Sequence, residues 1–402
     1  MKYVVFLGDG MADYPIPALD GKTPLQVAKH PNMDKMASCG IYGMVQTIPE
    51  GMKPGSDTAN LSAMGYDPKQ YYTGRSPLEA ASIGIDLAQT DVTYRCNFVT
   101  LSDAASIEEA TMLDYSAGEI SSQEARVLVE TINERFSDEM HHLYPGVSYR
   151  QCFVMKNAEE GADLTPPHDI SKKPVHGKLP KGTNSPLLLE MMAYSYRILK
   201  DHPINQKRIA DGKNPANCIW FWGEGRKPAL TPFYEKFGLH GAVVSAVDLI
   251  QGIGVCAGMR VLHVDGATGN YHTNFIGKGE AAIQAFRDGC DFVYIHVEAP
   301  DECGHQGELK EKIYSIEQID EKIIGPVLSY LDSTGEAYQA LVLPDHPTPL
   351  SLMTHVGDPV PFALFNSQLQ ARRRSFYDEV SARDTGVFVE KGPELIQMML
   401  RK

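Results

Sequence analysis

Tyr3-Val4-Val5-Phe6-Leu7-Gly8-Asp9-Gly10 is an unbroken apolar run that stops at an acid between two glycines. Five apolar residues with no polar alternation predict a strand buried on both faces, as in a parallel sheet, followed by a loop. Similar runs recur towards the other end of the chain, at 261–264, 292–297, 340–343 and 362–365, and helical patterns at 278–288 and 308–331 lie between several of them. Strands alternating with helices predict an α/β fold, doubly wound about a mainly parallel sheet.

In such sheets the reactive groups sit on loops beyond the carboxyl ends of the strands. Asp9 follows the first run, Glu298, Asp301 and His305 follow 292–297, and Asp345 and His346 follow 340–343. The middle of the chain has a different texture. Alternating patterns at 92–99 and 147–154, helical patterns at 122–136 and 186–200, and a polar stretch with Pro and Gly at 159–184 predict an α+β domain over 91–226. It is inserted into a discontinuous core formed by 1–90 and 227–402.

A chain of 402 residues with 43% hydrophobic residues can bury a full core in two domains. A net charge of −14 disfavours nucleic acid as a partner, because a phosphate backbone calls for clustered Lys and Arg. It leaves open a small anionic substrate held by a few placed cations. The seven cysteines form no CxxC pair, and their odd count in a long chain disfavours a disulfide framework and suits a reducing cytoplasm. The first apolar run is too short for a leader or a membrane span, and no later stretch is long enough to cross a bilayer. Oligomeric state is open.

Asp301 and His305 are four residues apart, which puts both on one face of a helix. With Asp9, the adjacent Asp345-His346 pair and His355, three acids and three histidines stand on predicted loops. Singly, each is an ordinary cap, turn former or surface residue. Together, on loops expected at one sheet edge, they suit divalent Zn or Mn. Two ions about 4 Å apart stabilise both ends of an in-line phosphoryl displacement. A nucleophile is available at Ser56, in the turn-rich segment Gly51-Met-Lys-Pro-Gly-Ser-Asp-Thr-Ala-Asn60. A serine here sits at a helix start, where free N–H groups favour an anion, although Ser-Asp-Thr is also a common capping sequence.

The chain resembles the cofactor-independent phosphoglycerate mutases, in their shorter archaeal-type branch, within the alkaline phosphatase superfamily. The likeness spans essentially the whole length. It rests on Gly-Asp-Gly-Met (8–11), Pro-Gly-Ser-Asp-Thr-Ala-Asn (54–60), Tyr-Tyr-Thr-Gly-Arg-Ser-Pro-Leu-Glu-Ala (71–80), Asp-Gly-Ala-Thr-Gly (265–269), His-Val-Glu-Ala-Pro-Asp-Glu-Cys-Gly-His (296–305) and Leu-Pro-Asp-His-Pro-Thr-Pro (343–349), in that order. The resemblance implies that Ser56 is the phosphorylated nucleophile. It implies that Asp9, Ser56, Asp345 and His346 hold one divalent ion and Asp301, His305 and His355 another, Mn first, with Zn or Mg as alternatives. Lys278 matches a lysine that reaches the phosphoryl group. Asn60 and Arg75 lie close to the nucleophile loop and are candidates to contact phosphate, Arg75 being equally placed to pair with Glu79 four residues on. The inserted domain corresponds to a cap that closes over a small phosphorylated substrate, with Arg95, Arg150, His168 and Asp169 as candidates for its carboxylate side.

The expected activity is interconversion of 3-phosphoglycerate and 2-phosphoglycerate through a phosphoserine, without bisphosphoglycerate. The alternative is a homoserine kinase, a role proposed for a bacterial subgroup similar to this sequence. Where archaeal mutases carry an arginine, this chain has Trp220-Phe-Trp-Gly-Glu-Gly-Arg226, an aromatic pair suited either to a core or to stacking on a base. Gly252-Ile-Gly-Val-Cys-Ala-Gly258 lacks the ending and spacing of a nucleotide loop and reads as a helix end and turn. Transfer to water, as in a phosphatase or phosphodiesterase, and a non-enzymatic binding role are weaker readings.

Overall fold

The computed structural model describes residues 1–369 and 375–401. The chain forms two compact units, one from Met1–Tyr72 and Ala229–Lys402, the other from Thr73–Pro228.

The first unit is built on an eight-stranded sheet. Its strands lie in the order Arg260–Leu262, Gly241–Val244, Phe292–Val297, Lys2–Gly8, Tyr338–Leu343, Val360–Asn366, Gly40–Val45 and Phe388–Val389. The first five run parallel, and Val360–Asn366 opposes both of its neighbours. The mainly parallel α/β sheet is therefore as expected, with the run at 362–365 as its one reversed strand.

The register decides where the chemistry goes. Leu7 stands opposite His296 on one side and Leu343 on the other, and Gly8 stands opposite Val297. The three strands end together. Asp9, the helix Ala299–Gln306 and Asp345-His346 leave one edge side by side.

Both faces of this sheet are covered. Val4, Phe6, Val293, Ile295, Val297, Ala340 and Val342 pack in one core with the helix Phe275–Arg287 and the apolar residues Ile316–Leu331. The opposite face receives the helix Asp248–Cys256, whose Gly254 abuts Val243. The expected helix at 308–331 is one continuous rod with an interruption: Leu309–Gln318 passes through a π-turn at Ile319–Ile324 into Gly325–Thr334. The wider turn carries Asp320, whose carboxylate accepts from Met33 N at 2.8 Å and Asn32 N at 3.2 Å. It thus caps the helix Pro31–Ser38, whose own N-cap residue supplies no side-chain bond.

The second unit is a five-stranded antiparallel sheet with Val92–Leu101 at its centre, paired to Arg150–Met155 and to Cys218–Arg226. Helices Ser122–Phe136 and Ser185–Leu199 contribute Leu128, Ile132, Leu188 and Met192 to its core. The strand expected from 147 begins at Arg150, because Ser148 adopts φ +56° and Arg150 N closes a turn on Val147 O. The unit starts earlier than residue 91 because helix Ser76–Ser82 brings Ala80 against Cys152 and Val154.

One fully buried ion pair ties the long rod to the edge loops of the first sheet. Lys312 Nζ donates to Asp13 Oδ2 at 2.7 Å and to Thr348 O at 2.8 Å, with both side chains sealed from solvent. Lys312→Met leaves the Asp13 carboxylate buried without its cation, and is expected to cost roughly 3–5 kcal/mol of stability, read as a lowered urea midpoint.

Candidate active site

At the shared edge, Asp9 and Asp345 are fully buried and Asp301 is 5% exposed. Asp345 Oδ1 accepts from Gly10 N at 3.1 Å and His346 N at 2.8 Å, and its Oδ2 accepts from Asn60 Nδ2 at 3.0 Å. Gly10 is at φ +63°, and a Cβ there would come within 2.7 Å of Asp301 Cα, so no larger residue fits between the two loops. Asp9 Oδ2 lies 2.9 Å from His296 Nε2, while its Oδ1 is buried without a hydrogen-bond partner among the described residues.

Asp301 and His305 stand one turn apart on the helix Ala299–Gln306, with Oδ2 and Nε2 3.3 Å apart. His355 Nε2 lies 3.3 Å from Asp301 Oδ1 and 2.8 Å from His305 Nε2. His346 packs its ring 4.0 Å from that of His355 and directs Nε2 to within 3.4 Å of Asp345 Oδ2 and 3.8 Å of Asp9 Oδ1. Two sets of donors fall within 4.8 Å of one another, Asp9 with Asp345 and His346, and Asp301 with His346 and His355.

This donor set fits cations. Burial first, then the neighbouring Asp345, Asp301 and Glu298, push the Asp9 carboxyl well above the usual range. The unpartnered Oδ1 and the facing imidazole nitrogens are the groups a divalent ion would take.

Ser56 Oγ lies 3.3 Å from His346 Nε2, at the first position of the helix Ser56–Ala63. Ser56 is not the cap: Gly55 is the N-cap residue, Ser56 is the first helical residue, and Asp57 Oδ1 accepts from Thr58 N at 2.8 Å. Lys278, fully buried on the helix Phe275–Arg287, donates to His296 O at 3.1 Å. Burial pushes its ammonium down to about 8, opposed in part by Glu298.

The second unit gathers a different charge. Arg75 Nε donates to Glu79 Oε1 at 3.0 Å, and Arg95 Nε lies 2.9 Å from Glu79 Oε2 in an ion pair that is not aligned as a hydrogen bond. Burial opposes ionisation of Glu79, yet Arg95, Arg75 and Arg150 together hold its carboxyl below the ordinary range. Arg150 keeps a buried Nε with no hydrogen-bond partner among the described residues. Burial and the flanking Arg75 and Arg150 lower the Arg95 guanidinium to about 10. Arg95 also lies 4.0 Å over the Trp222 ring, which His168 meets edge-on at 5.1 Å.

A family model described as 2,3-bisphosphoglycerate-independent phosphoglycerate mutase matches residues 37–205. The mutase of that name from Methanothrix thermoacetophila is 49% identical over 400 residues, covering 100% of both chains. That from Methanosarcina barkeri is 47% identical, again over 100% of both. The chain belongs to the 2,3-bisphosphoglycerate-independent phosphoglycerate mutase family. Among solved structures, a protein of Pyrococcus horikoshii is 31% identical with a TM-score of 0.82, covering 99% of this chain and 96% of that one. The cofactor-independent phosphoglycerate mutase of Thermoplasma acidophilum is 26% identical with a TM-score of 0.68, covering 100% and 99%.

In this family member the structure brings Asp9, Ser56, Asp301, His305, Asp345, His346 and His355 into one cluster, with His346 common to both donor sets rather than confined to one. Arg75, Arg95, Arg150 and His168 form the second cluster, as His168 feels both Arg95 and Arg75. Asp169 stands apart, 63% exposed and paired with His168 at 3.7 Å. Asn60 is turned inward: Nδ2 donates to Ser56 O and Asp345 Oδ2, and Oδ1 accepts from Tyr294, so its amide supports the acid rather than facing a phosphate. The aromatic pair is not a stacking platform. Trp220 is core, its indole donating to Thr165 O, and Trp222 is taken by Arg95. Tyr294 and His296 escaped sequence reasoning, although a histidine inside an apolar strand is a visible signal.

The Lys278 shift gives a signed pH effect. An unfolded lysine keeps its proton up to about 10.5, whereas the folded one loses it near 8, so the unfolded chain binds more protons in that window and stability rises with pH. Urea midpoints of EDTA-treated protein are expected to rise between about pH 8 and 10 by more in the wild type than in Lys278→Met.

Proposed function

We propose that this chain interconverts 3-phosphoglycerate and 2-phosphoglycerate through a phosphoserine at Ser56. The observation that carries this is Ser56 Oγ, at a helix start, 3.3 Å from an imidazole of a cluster of acids and histidines. Identity of 49% across the full length of a relative bearing the mutase name supports it.

Asp9, Ser56, Asp345 and His346 would hold one divalent ion and Asp301, His305 and His355 the other, with His346 in reach of both. Mn is the metal proposed, and Zn or Mg would suit the same ligands. When bound, such ions neutralise charge on the entering, leaving and equatorial oxygens of a phosphoryl group. Ser56 gives up its proton and its Oγ bonds phosphorus as the substrate's ester oxygen departs and is protonated. In the second half the other hydroxyl of the glycerate attacks, the Oγ–phosphorus bond breaks, and Ser56 regains a proton. Lys278 would contribute a cation to the phosphoryl group. N–H groups at the start of the helix Ser56–Ala63 favour the phosphorylated side chain.

Arg75, Arg95 and Arg150 outnumber the single Glu79 among them and supply the positive charge that a substrate carboxylate needs. His168 lines the same cluster. The seven cysteines are all free, which supports the cytoplasm as the compartment. Among the described residues no helix is long and apolar enough to cross a membrane.

Phosphorus NMR on Mn-loaded protein given 3-phosphoglycerate is expected to show 2-phosphoglycerate, and Ser56→Ala to show none while keeping its far-UV circular dichroism. Absence of the product with wild type would overturn the reading. Arg150→Ala is expected to raise KM about 10–100-fold, the worth of a charged hydrogen bond, with a smaller change in kcat, measured by an enolase-coupled assay.

A further inference from the structure

The strand Phe292–Val297 divides its side chains by the two-residue period. Val293, Ile295 and Val297 enter the apolar core, and Tyr294 and His296 point to the other face, both fully buried. Each of these two polar residues leads to a different acid. Tyr294 OH donates to Asn60 Oδ1 at 2.7 Å, and Asn60 Nδ2 donates to Asp345 Oδ2 at 3.0 Å. His296 Nε2 lies 2.9 Å from Asp9 Oδ2.

The far side of the His296 ring offers a partner for its second nitrogen. Nδ1 lies 3.1 Å from Ser245 Oγ, which already accepts from Val247 N at 3.0 Å. The hydroxyl keeps its own hydrogen, which the ring accepts at Nδ1 when the ring proton is on Nε2. That tautomer gives Asp9, an acceptor only once a bound cation holds it ionised, the Nε2–H donor it requires. Gln251 braces the loop by donating to Ser245 O at 2.8 Å. Lys278 clamps the strand by donating to His296 O. With Oδ2 occupied in this way, Asp9 is left to present the unpartnered Oδ1.

We propose that His296, held by Ser245, and Tyr294, acting through Asn60, are positioning residues that aim the Asp9 and Asp345 carboxylates at one cation and leave the other alone. Asp301, which belongs to the other set, takes its support from Thr348 instead, whose hydroxyl donates to Oδ1. A single strand thus orients both acids of the donor set that includes Asp9, Asp345 and His346. Partners of this kind are worth about 10–100-fold in metal affinity. The inference rests on the two-cation reading given above.

The test is Mn binding to the EDTA-treated full chain, by calorimetry and by the EPR signal of free Mn. Wild type is expected to take up two ions. Fewer than two would overturn the two-cation reading itself. His296→Phe keeps a ring but loses both nitrogens, and one of the two ions is expected to bind 10–100-fold more weakly while the other keeps its affinity. His296→Gln, which retains a donor near the Nε2 position, is expected to recover part of the loss. Ser245→Ala and Tyr294→Phe are expected to weaken the same ion by smaller factors, and they decide the matter if the His296→Phe chain does not fold. Two ions at wild-type affinity in all the folded variants, or both ions weakened alike, would sink the inference while leaving the two-cation reading intact.

Discussion

Three carboxylates buried side by side cannot all stay ionised without positive charge or donated hydrogens nearby, and the first unit is arranged around that constraint. Asp9, Asp301 and Asp345 are delivered there by the common ending of adjacent strands. Their fixed compensation comes from backbone N–H groups at Gly10 and His346, from Asn60, from Thr348 and from the imidazoles. What is left uncompensated, chiefly Asp9 Oδ1, marks where a mobile cation would complete the balance. The loops that carry these groups are held from below by a lysine sealed against an aspartate, so the acid-rich edge is anchored by a charge pair of its own.

The second unit meets the mirror-image problem. Three guanidinium groups crowd about one glutamate, and burial makes each unit of excess charge costly. Trp222 offers its π-face to Arg95, which eases that cost without neutralising it. A cluster that keeps net positive charge and a buried, unpartnered guanidinium N–H is suited to a small anion. Within the aromatic segment Trp220 packs in the core, as its sequence suggested, and Trp222 also serves charge.

The fold was legible because its signals are local. A buried parallel strand is a short apolar run, and an acid just beyond it lies on the functional edge wherever the sheet happens to close. Asp301 and His305 could be paired from helical spacing, and so could Arg75 with Glu79. What escaped depends on partners distant in sequence. Asn60 lies one helical turn from Ser56 in the chain, but its amide is claimed by Tyr294 and Asp345, hundreds of residues away. The polar face of the strand Phe292–Val297 was hidden because tyrosine counts as apolar in a periodicity argument, leaving one histidine to break the run. The start of the second unit was misplaced because the helix Ser76–Ser82 shows its allegiance only through Cys152 and Val154. Ser148 hides a turn inside a pattern that alternates like a strand.

The pairing of Lys2–Gly8 with Phe292–Val297 and Tyr338–Leu343 also sets an order in time. During synthesis Lys2–Gly8 emerges well before the strands it pairs with, which lie hundreds of residues later in the chain. Thr73–Pro228 has all its own sheet partners within reach much earlier and can close as a unit while the rest is still being made. The first strand, apolar on both faces, must wait unpaired through that interval, and long-range parallel pairing is slow even once the chain is complete. Ser56 and Asp9 are translated well before His296, Asp345 and His346, so the acid–histidine cluster assembles only after those later segments are made.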